Sequence, residues 1–417
     1  MSDRSAPPLD LGAVLADPKV RTIVCCGAGG VGKTTTAAAL GVRAAQQGRR
    51  AVVLTIDPAR RLAQALGVGA LDNTPRRVPD LGATATGSLD AMMLDMKRTF
   101  DEIILAHADA ARAEAILSNP FYQSLSSSLA GTQEYMAMEK LGQLRRQADR
   151  EGTWDLIVVD TPPSRSALDF LDAPHRLGAF LDGRLMRLLV APARTGGRAY
   201  ARMLGAGLSV ASGVLTRVLG SGLLADLQKF VTALDTVFGG FRERAEQTAR
   251  LLGSPGTLFL VVATPQPEAL REAAFFTERL TEQAMPLAGL VLSRMHTTGV
   301  MELSPERALA GAEELEEAGE HPLGAAVLRL HAGRMLMIER EQHLAQRFTA
   351  AHPRTPVVTV SARPEDVHDV DGLTDLGIEL TRPPGTPPGA LRPARAVTRP
   401  GRAGPGARGS HRGRPPG

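Results

Sequence analysis

Reactive sulfur is nearly missing from this chain: it has two cysteines in 417 residues, and they are neighbours, Cys25 and Cys26. Adjacent cysteines exclude a disulfide framework and any zinc site built on paired CxxC motifs, so a reducing, cytoplasmic setting is expected. Lysine is almost as scarce, five against 43 arginines, a bias we read as the habit of a high-GC genome. No long hydrophobic run is present either. The weakly polar stretch from Met203 to Ala225 is interrupted by Arg217 and five glycines, which suits it poorly to span ~30 Å of hydrocarbon. The N-terminus, Met-Ser-Asp-Arg-Ser-Ala-Pro-Pro, has no basic region leading into an apolar run, so no secretory signal is expected. Acid is missing from one segment only. Thr381 to Gly417 carry eight arginines and no Asp or Glu, which leaves the first 380 residues at 40 basic against 44 acidic. The formal charge of +4 therefore comes from the tail, and nothing in the mildly acidic body suggests nucleic-acid binding.

What is present is a globular body, 43% hydrophobic and 22% charged, enough to bury a substantial core. Short apolar runs recur at Thr22 to Cys26, Ala51 to Ile56, Leu156 to Val159, Leu258 to Ala263, Leu287 to Leu292 and Val357 to Val360. Runs of four to six residues without alternation read as strands buried on both faces, the mark of a doubly wound, mostly parallel α/β sheet. Two stretches between them, about 91–150 and 171–252, show helical periodicity and no strand candidate, and are expected to form a helical insertion subdomain. Helices are also expected at Pro305 to Gly319, with Ser304 as N-cap, and from about Pro322 to Ala351. The tail from residue 381 holds nine Pro and eight Gly in 37 residues and is expected to be disordered.

The strongest chemical signal is Gly27-Ala28-Gly29-Gly30-Val31-Gly32-Lys33-Thr34, a G-x-x-x-x-G-K-[ST] match between a strand and a helix. With lysine so rare, fewer than ~0.01 chance matches are expected. In such a loop successive backbone N–H groups turn toward phosphate oxygens and the following helix aims its positive end at them. Lys33 then reaches the β- and γ-phosphates, and Thr34 ligates Mg²⁺. Thr35 continues the helix beside them. The strand ending in Asp160-Thr161-Pro162-Pro163 sets a carboxylate where it can hold Mg²⁺ through water, or simply cap a turn. Asp57, directly after Ile56, can orient a water on the γ-phosphate or can be a helix N-cap before Pro58.

The Gly-Gly-Val-Gly-Lys-Thr-Thr run, Asp57-Pro58-Ala59, and Asp160-Thr161-Pro162-Pro163 followed by Leu168-Asp169-Phe170-Leu171 resemble the ArsA family of anion-pump and tail-anchored-protein-targeting ATPases. Cys25-Cys26-Gly27, Thr55 to Ala63, Ala130 to Lys140 and Ala191-Pro192 resemble its actinobacterial branch. The likeness runs from about Leu9 to Leu380. It implies a P-loop NTPase of the deviant Walker A type that hydrolyses ATP with Mg²⁺ and works as a homodimer or as a heterodimer with a paralogous ATPase. By position it implies that Lys33, Thr34 and Asp160 serve phosphate and Mg²⁺ and that Asp57 positions the water. Gly27, Gly29, Gly30, Val31 and Gly32 would form the phosphate cradle. It also implies helices that hold a hydrophobic client segment or meet a membrane partner, here Leu185 to Leu189 and Met203 to Leu224.

Several residues depart from that pattern. Ala28 stands where the family places a second lysine that reaches the partner's phosphates, and Arg60, Arg61 and Arg165 are candidate substitutes. Soft-anion capture needs converging thiolates, and the two cysteines sit on a buried strand. Ser293-Arg294 replaces an Asn that reads adenine. His175, His296 and His331 show no metal-ligand spacing and read as structural or exposed. Glu268, after Pro267, is either nucleotide-facing or part of a helix N-terminus.

Overall fold

The computed structural model describes residues 6–57, 61–82, 85–119, 122–123, 132–162, 243–244 and 246–384, with backbone alone over 132–135. Residues 171–242, which include both apolar stretches assigned to a client, His175 and nearly all of the second helical insertion, lie outside the described residues. So do Arg60, Arg165 and the tail beyond Pro384.

The strands are β1 (Thr22–Cys26), β2 (Arg50–Thr55), β3 (Arg76–Arg77), β4 (Ser88–Met93), β5 (Leu156–Asp160), β6 (Thr257–Ala263), β7 (Leu287–Met295) and β8 (Val357–Ser361). They form one sheet in the order β3-β4-β2-β5-β1-β6-β7-β8. Every pairing is parallel except that of the two-residue β3, which runs antiparallel to β4. All residues of β1 and β5 are buried, as an apolar run without alternation requires when helices cover both faces.

β4 corrects the sequence reading, which assigned helix from residue 91. Its run Ser-Leu-Asp-Ala-Met-Met is broken by Asp90, so it does not register as an apolar strand. The carboxylate is tolerated inside because Trp154 Nε1 donates to it at 2.7 Å and Arg77 pairs with it at 3.1 Å, which satisfies a buried charge. The rest of that stretch is helical as expected, with α4 (Met96–His107), α5 (Ala110–Leu117) and α6 (Thr132–Glu151). Asp95 and Asp109 each cap a helix by accepting from a first-turn N–H.

The remaining helices are α1 (Leu11–Ala16), α2 (Lys33–Gln46), α3 (Arg61–Ala65), α7 (Pro267–Glu282), α8 (Pro305–Glu317), α9 (Pro322–Ala351) and α10 (Val370–Leu380). Ser304 caps α8 by accepting from Arg307 N. The helix stops two residues before the expected Gly319, whose φ of 67° is the left-handed turn that ends it. Thr381, at which the sequence reading started the tail, is itself buried. It takes a hydrogen bond from Arg43 Nε at 3.2 Å and donates to Gly377 O at 2.8 Å, so it belongs to the body. No helix among the described residues is long and apolar enough to cross a membrane.

Candidate nucleotide-phosphate site

In a parallel sheet all strands deliver their carboxyl ends to one edge, and ligands bind there where the strand order reverses. β5 lies between β2 and β1, and Asp160 is in register with both Thr55 and Cys25. Three chain segments far apart in sequence therefore end side by side: the glycine loop after β1, Ile56-Asp57 after β2, and Asp160-Thr161 at the end of β5.

The loop's path is enforced by its glycines. Gly27 has φ 145°, and a Cβ there would lie 2.1 Å from Val262 O on β6, so only glycine lets β1 turn out of the sheet at this point. Gly32, with φ 93°, precedes α2 without a side-chain cap, and no acidic residue occupies the first turn. The first N–H groups of α2 are thus left to a ligand, and the helix dipole favours an anion. Lys33 Nζ donates to Gly27 O at 2.9 Å and Ala28 O at 2.7 Å. Burial lowers its pKa, opposed by Asp160 and the neighbouring groups.

A cavity of about 780 Å³ opens over this loop. It is lined by Gly29, Gly30, Gly32, Lys33, Thr34, Thr35 and Asp57, joined by Arg61 and Gln64 from α3 and by Asp366, Val367 and His368 from the loop after β8. Gly27 and Val31 are buried beneath it. Asp160 is fully buried behind Thr34: its Oδ2 accepts from Thr34 Oγ1 at 2.7 Å and from Thr55 Oγ1 at 2.8 Å. Its Oδ1 is buried with no hydrogen-bond partner. The carboxylate accepts from the loop's threonine and from Thr55, and no turn N–H is among its partners. Burial pushes its pKa up to about 6, although Thr34, Thr55 and Lys33 all pull it down. A divalent cation bound to Thr34 beside phosphate oxygens fits this donor set, because it would compensate a buried charge and its orphaned oxygen. Among the described residues no group of three His, Cys, Asp or Glu side chains converges as a metal cage.

The Asp57 N–H donates to Thr55 Oγ1 at 3.2 Å, and residues 58–60, which separate it from α3, lie outside the described residues. Thr55 escaped the sequence reading, though its place as the last residue of β2 beside a switch aspartate was a usable signal. Glu268 sits in the first turn of α7, exposed and paired with Arg271 at 2.9 Å, and does not line the cavity. Both cysteines are buried thiols, with Cys26 pushed up to about 12 by burial, so neither offers a thiolate for a soft anion.

A second cavity of about 270 Å³ adjoins the first and shares Gly32, Thr35, Arg294, Asp366 and Val367 with it. Its far wall contains Ser293 and His296 after β7 and Val360 to Arg363 at the end of β8. Ser293 Oγ is already committed to Val31 O at 2.7 Å and Ala263 O at 3.2 Å. His296 is held by the buried Glu341 of α9, through its backbone N–H at 2.8 Å and Nδ1 at 2.7 Å. The Nε2 of His331 lies 2.9 Å from Leu303 O.

Residues 20–216 match the family described as anion-transporting ATPase. An uncharacterised protein of Streptomyces coelicolor is 33% identical over 191 residues, 45% of this chain and 44% of that protein. The ATPase GET3 of Malassezia globosa is 28% identical over 172 residues, 41% of this chain and 48% of its own. An arsenical pump-driving ATPase of Acidiphilium multivorum is 28% identical over 158 residues, 37% of this chain and 26% of its own. The matches thus span about half the length of these relatives or less. Over residues 20–216, a little under half of its length, the chain is similar to the anion-transporting ATPase family.

Proposed function

We propose that the chain hydrolyses ATP to ADP and phosphate with Mg²⁺, as a dimeric ArsA-like ATPase of the cytoplasm whose turnover drives a conformational change. The observation that carries this reading is Asp160, a buried carboxylate hydrogen-bonded to the loop threonine Thr34 with its second oxygen unpartnered. The residues that line the large cavity match the needs of phosphoryl transfer, which is mostly positioning and charge stabilisation. Lys33 exchanges its two carbonyl partners for phosphate oxygens. The open N–H groups of Gly30 to Thr34 hold the β-phosphate. Asp57 accepts a hydrogen bond from the attacking water and orients it toward the γ-phosphorus. Thr34 and Asp160 would hold Mg²⁺, which would supply positive charge to stabilise the phosphates in the transition state. Steady-state phosphate release by the purified chain with and without Mg²⁺ tests the reading. No turnover under any condition, with ATP bound, would favour the second reading below.

That second reading is a nucleotide-dependent scaffold that hydrolyses poorly until it meets a paralogue. Ala28 favours it, because a symmetric homodimer then lacks a cation from across the interface, and such a cation is worth about 10³-fold or more in rate. Arg61 lines the phosphate cavity and is the one described candidate to replace it. Slow turnover alone and faster turnover with a co-encoded relative is the expected result. Fast hydrolysis by a homodimer that survives Ala substitution at Arg60, Arg61 and Arg165 together would rule out both substitutes. Client handling is assigned to Leu185 to Leu189 and Met203 to Leu224 on their apolar composition and on family resemblance, and capture of an apolar transmembrane peptide by the full chain is its test.

A further inference from the structure

The nucleotide reading leaves open which base is accepted, and the smaller cavity answers it. A nucleotide whose phosphates sit at the N-terminus of α2 has to lead its nucleoside out past Gly32, Thr35 and Arg294, the wall the two cavities share. Beyond that wall stands His296.

His296 is presented by a built device. The register of β7 against β8 shifts between Leu292 and Met295, and inside that shift Arg294 adopts φ 59°. An arginine in the left-handed region is strained by about 1 kcal/mol, and such bulges re-aim the side chains that follow. On the far side Glu341, 8% exposed, takes the His296 N–H on Oε2 at 2.8 Å and meets Nδ1 with Oε1 at 2.7 Å. An ionised carboxylate has only acceptors, so this contact puts the ring proton on Nδ1. In the neutral imidazole Nε2 is then a lone pair, and it is the one polar ring atom left for a ligand.

We propose that His296, set in this tautomer by Glu341 as its positioning residue, is the base-specificity residue of the site, accepting the 6-amino group of adenine and disfavouring 6-oxo purines. Inosine triphosphate is the sharpest probe, since it differs from ATP only at position 6 and in the N1 proton that goes with it. The inference rests on the nucleotide-binding reading above and fails separately from it.

The experiment is equilibrium binding of ATP and ITP to the full chain at about pH 8, where an ordinary imidazole is neutral, with thermal melts to check each variant. The native protein is expected to prefer ATP by about tenfold, the worth of one good hydrogen bond. His296→Ala should bring the ratio close to one, chiefly by weakening ATP. Glu341→Gln carries the sharper outcome. The backbone N–H of His296 still requires an oxygen, which leaves the amide NH₂ facing Nδ1. The ring must then carry its proton on Nε2 and become a donor, and the preference should turn toward ITP. If Glu341→Gln does not fold, the His296→Ala ratio decides alone. An ATP-to-ITP ratio that is equal in native and His296→Ala protein overturns the inference while the nucleotide reading stands. Failure of the native protein to bind either nucleotide overturns the nucleotide reading itself.

Discussion

Along one edge of the same sheet, the two halves of the candidate site are built by different physical means. The half formed by β2, β5 and β1 uses backbone: glycines at φ 145°, 74° and 93°, open N–H groups at the start of α2, and short side chains, Thr34, Thr55 and Asp160, bonded to one another. The half formed by β6, β7 and β8 uses long side chains anchored by distant carboxylates. Glu341 on α9 holds His296, and Glu379 on α10 accepts from Ser361 N at 2.7 Å and lies 3.5 Å from Arg363 Nη2. A phosphate group is the same in every nucleotide, so rigid dipoles suffice for it. A base must be told from similar bases, and that requires side chains with a fixed donor or acceptor sense.

The largest effect expected on this contrast is at Lys33. Replacing it by Ala should lower ATP turnover by about 10³-fold or more, since no other cation lies in the loop. The melting temperature should hold, because the lysine's partners are two carbonyls and its charge is penalised by burial. Retained turnover would move the phosphate site elsewhere.

Asp160 gives the next largest effect, on stability. Its carboxyl pKa is raised to about 6 against an ordinary value near 4, so the ionised form is less favourable folded than unfolded. Stability therefore falls as pH rises from about 4 through 6, by about 3 kcal/mol for two pKa units. In nucleotide-free protein Asp160→Asn should stabilise the fold at neutral pH and lose that advantage near pH 4, while abolishing turnover. Chemical denaturation of both proteins across pH reads this directly. A constant difference at all pH values would mean that the carboxylate is not paying for its burial.

Asp57→Asn should slow hydrolysis by about 10²-fold with ATP binding kept, as expected when a water-orienting carboxylate loses its charge. Binding and turnover falling together would reduce Asp57 to a wall of the cavity.

The two halves also differ in how far they can be read from sequence. The phosphate half is largely legible because its loop is one contiguous motif, where glycine spacing states the backbone path and one lysine among five states the charge, whereas Thr55, brought to Asp160 from another strand, is not. The helix after Gly32, the strand ending at Asp160 and the caps at Ser304 follow local rules. The base half depends on pairs separated by dozens of residues, such as His296 with Glu341, and on a bulge that no residue type announces. A histidine without metal spacing then looks inert. β4 was hidden for a related reason: Asp90 breaks its apolar run, and Trp154 and Arg77, which make that acid tolerable, come from elsewhere in the chain.

The smallest effect tests whether the bulge is held by strain or by its pairings. Arg294 at φ 59° occupies a conformation that glycine adopts freely, so Arg294→Gly removes about 1 kcal/mol of strain. It also gives the unfolded chain more backbone freedom, which costs about 0.5–1 kcal/mol. The two terms nearly cancel, and the nucleotide-free protein should melt within a degree or two of native. The reverse change on the phosphate half cannot cancel, since a Cβ at Gly27 would strike the Val262 carbonyl at 2.1 Å and force β1 and β6 apart. A clear loss of stability in Arg294→Gly would show that the guanidinium anchors the bulge through contacts such as Asp366, 3.9 Å away. The base half would then share with the phosphate half a dependence on one residue type at its turn.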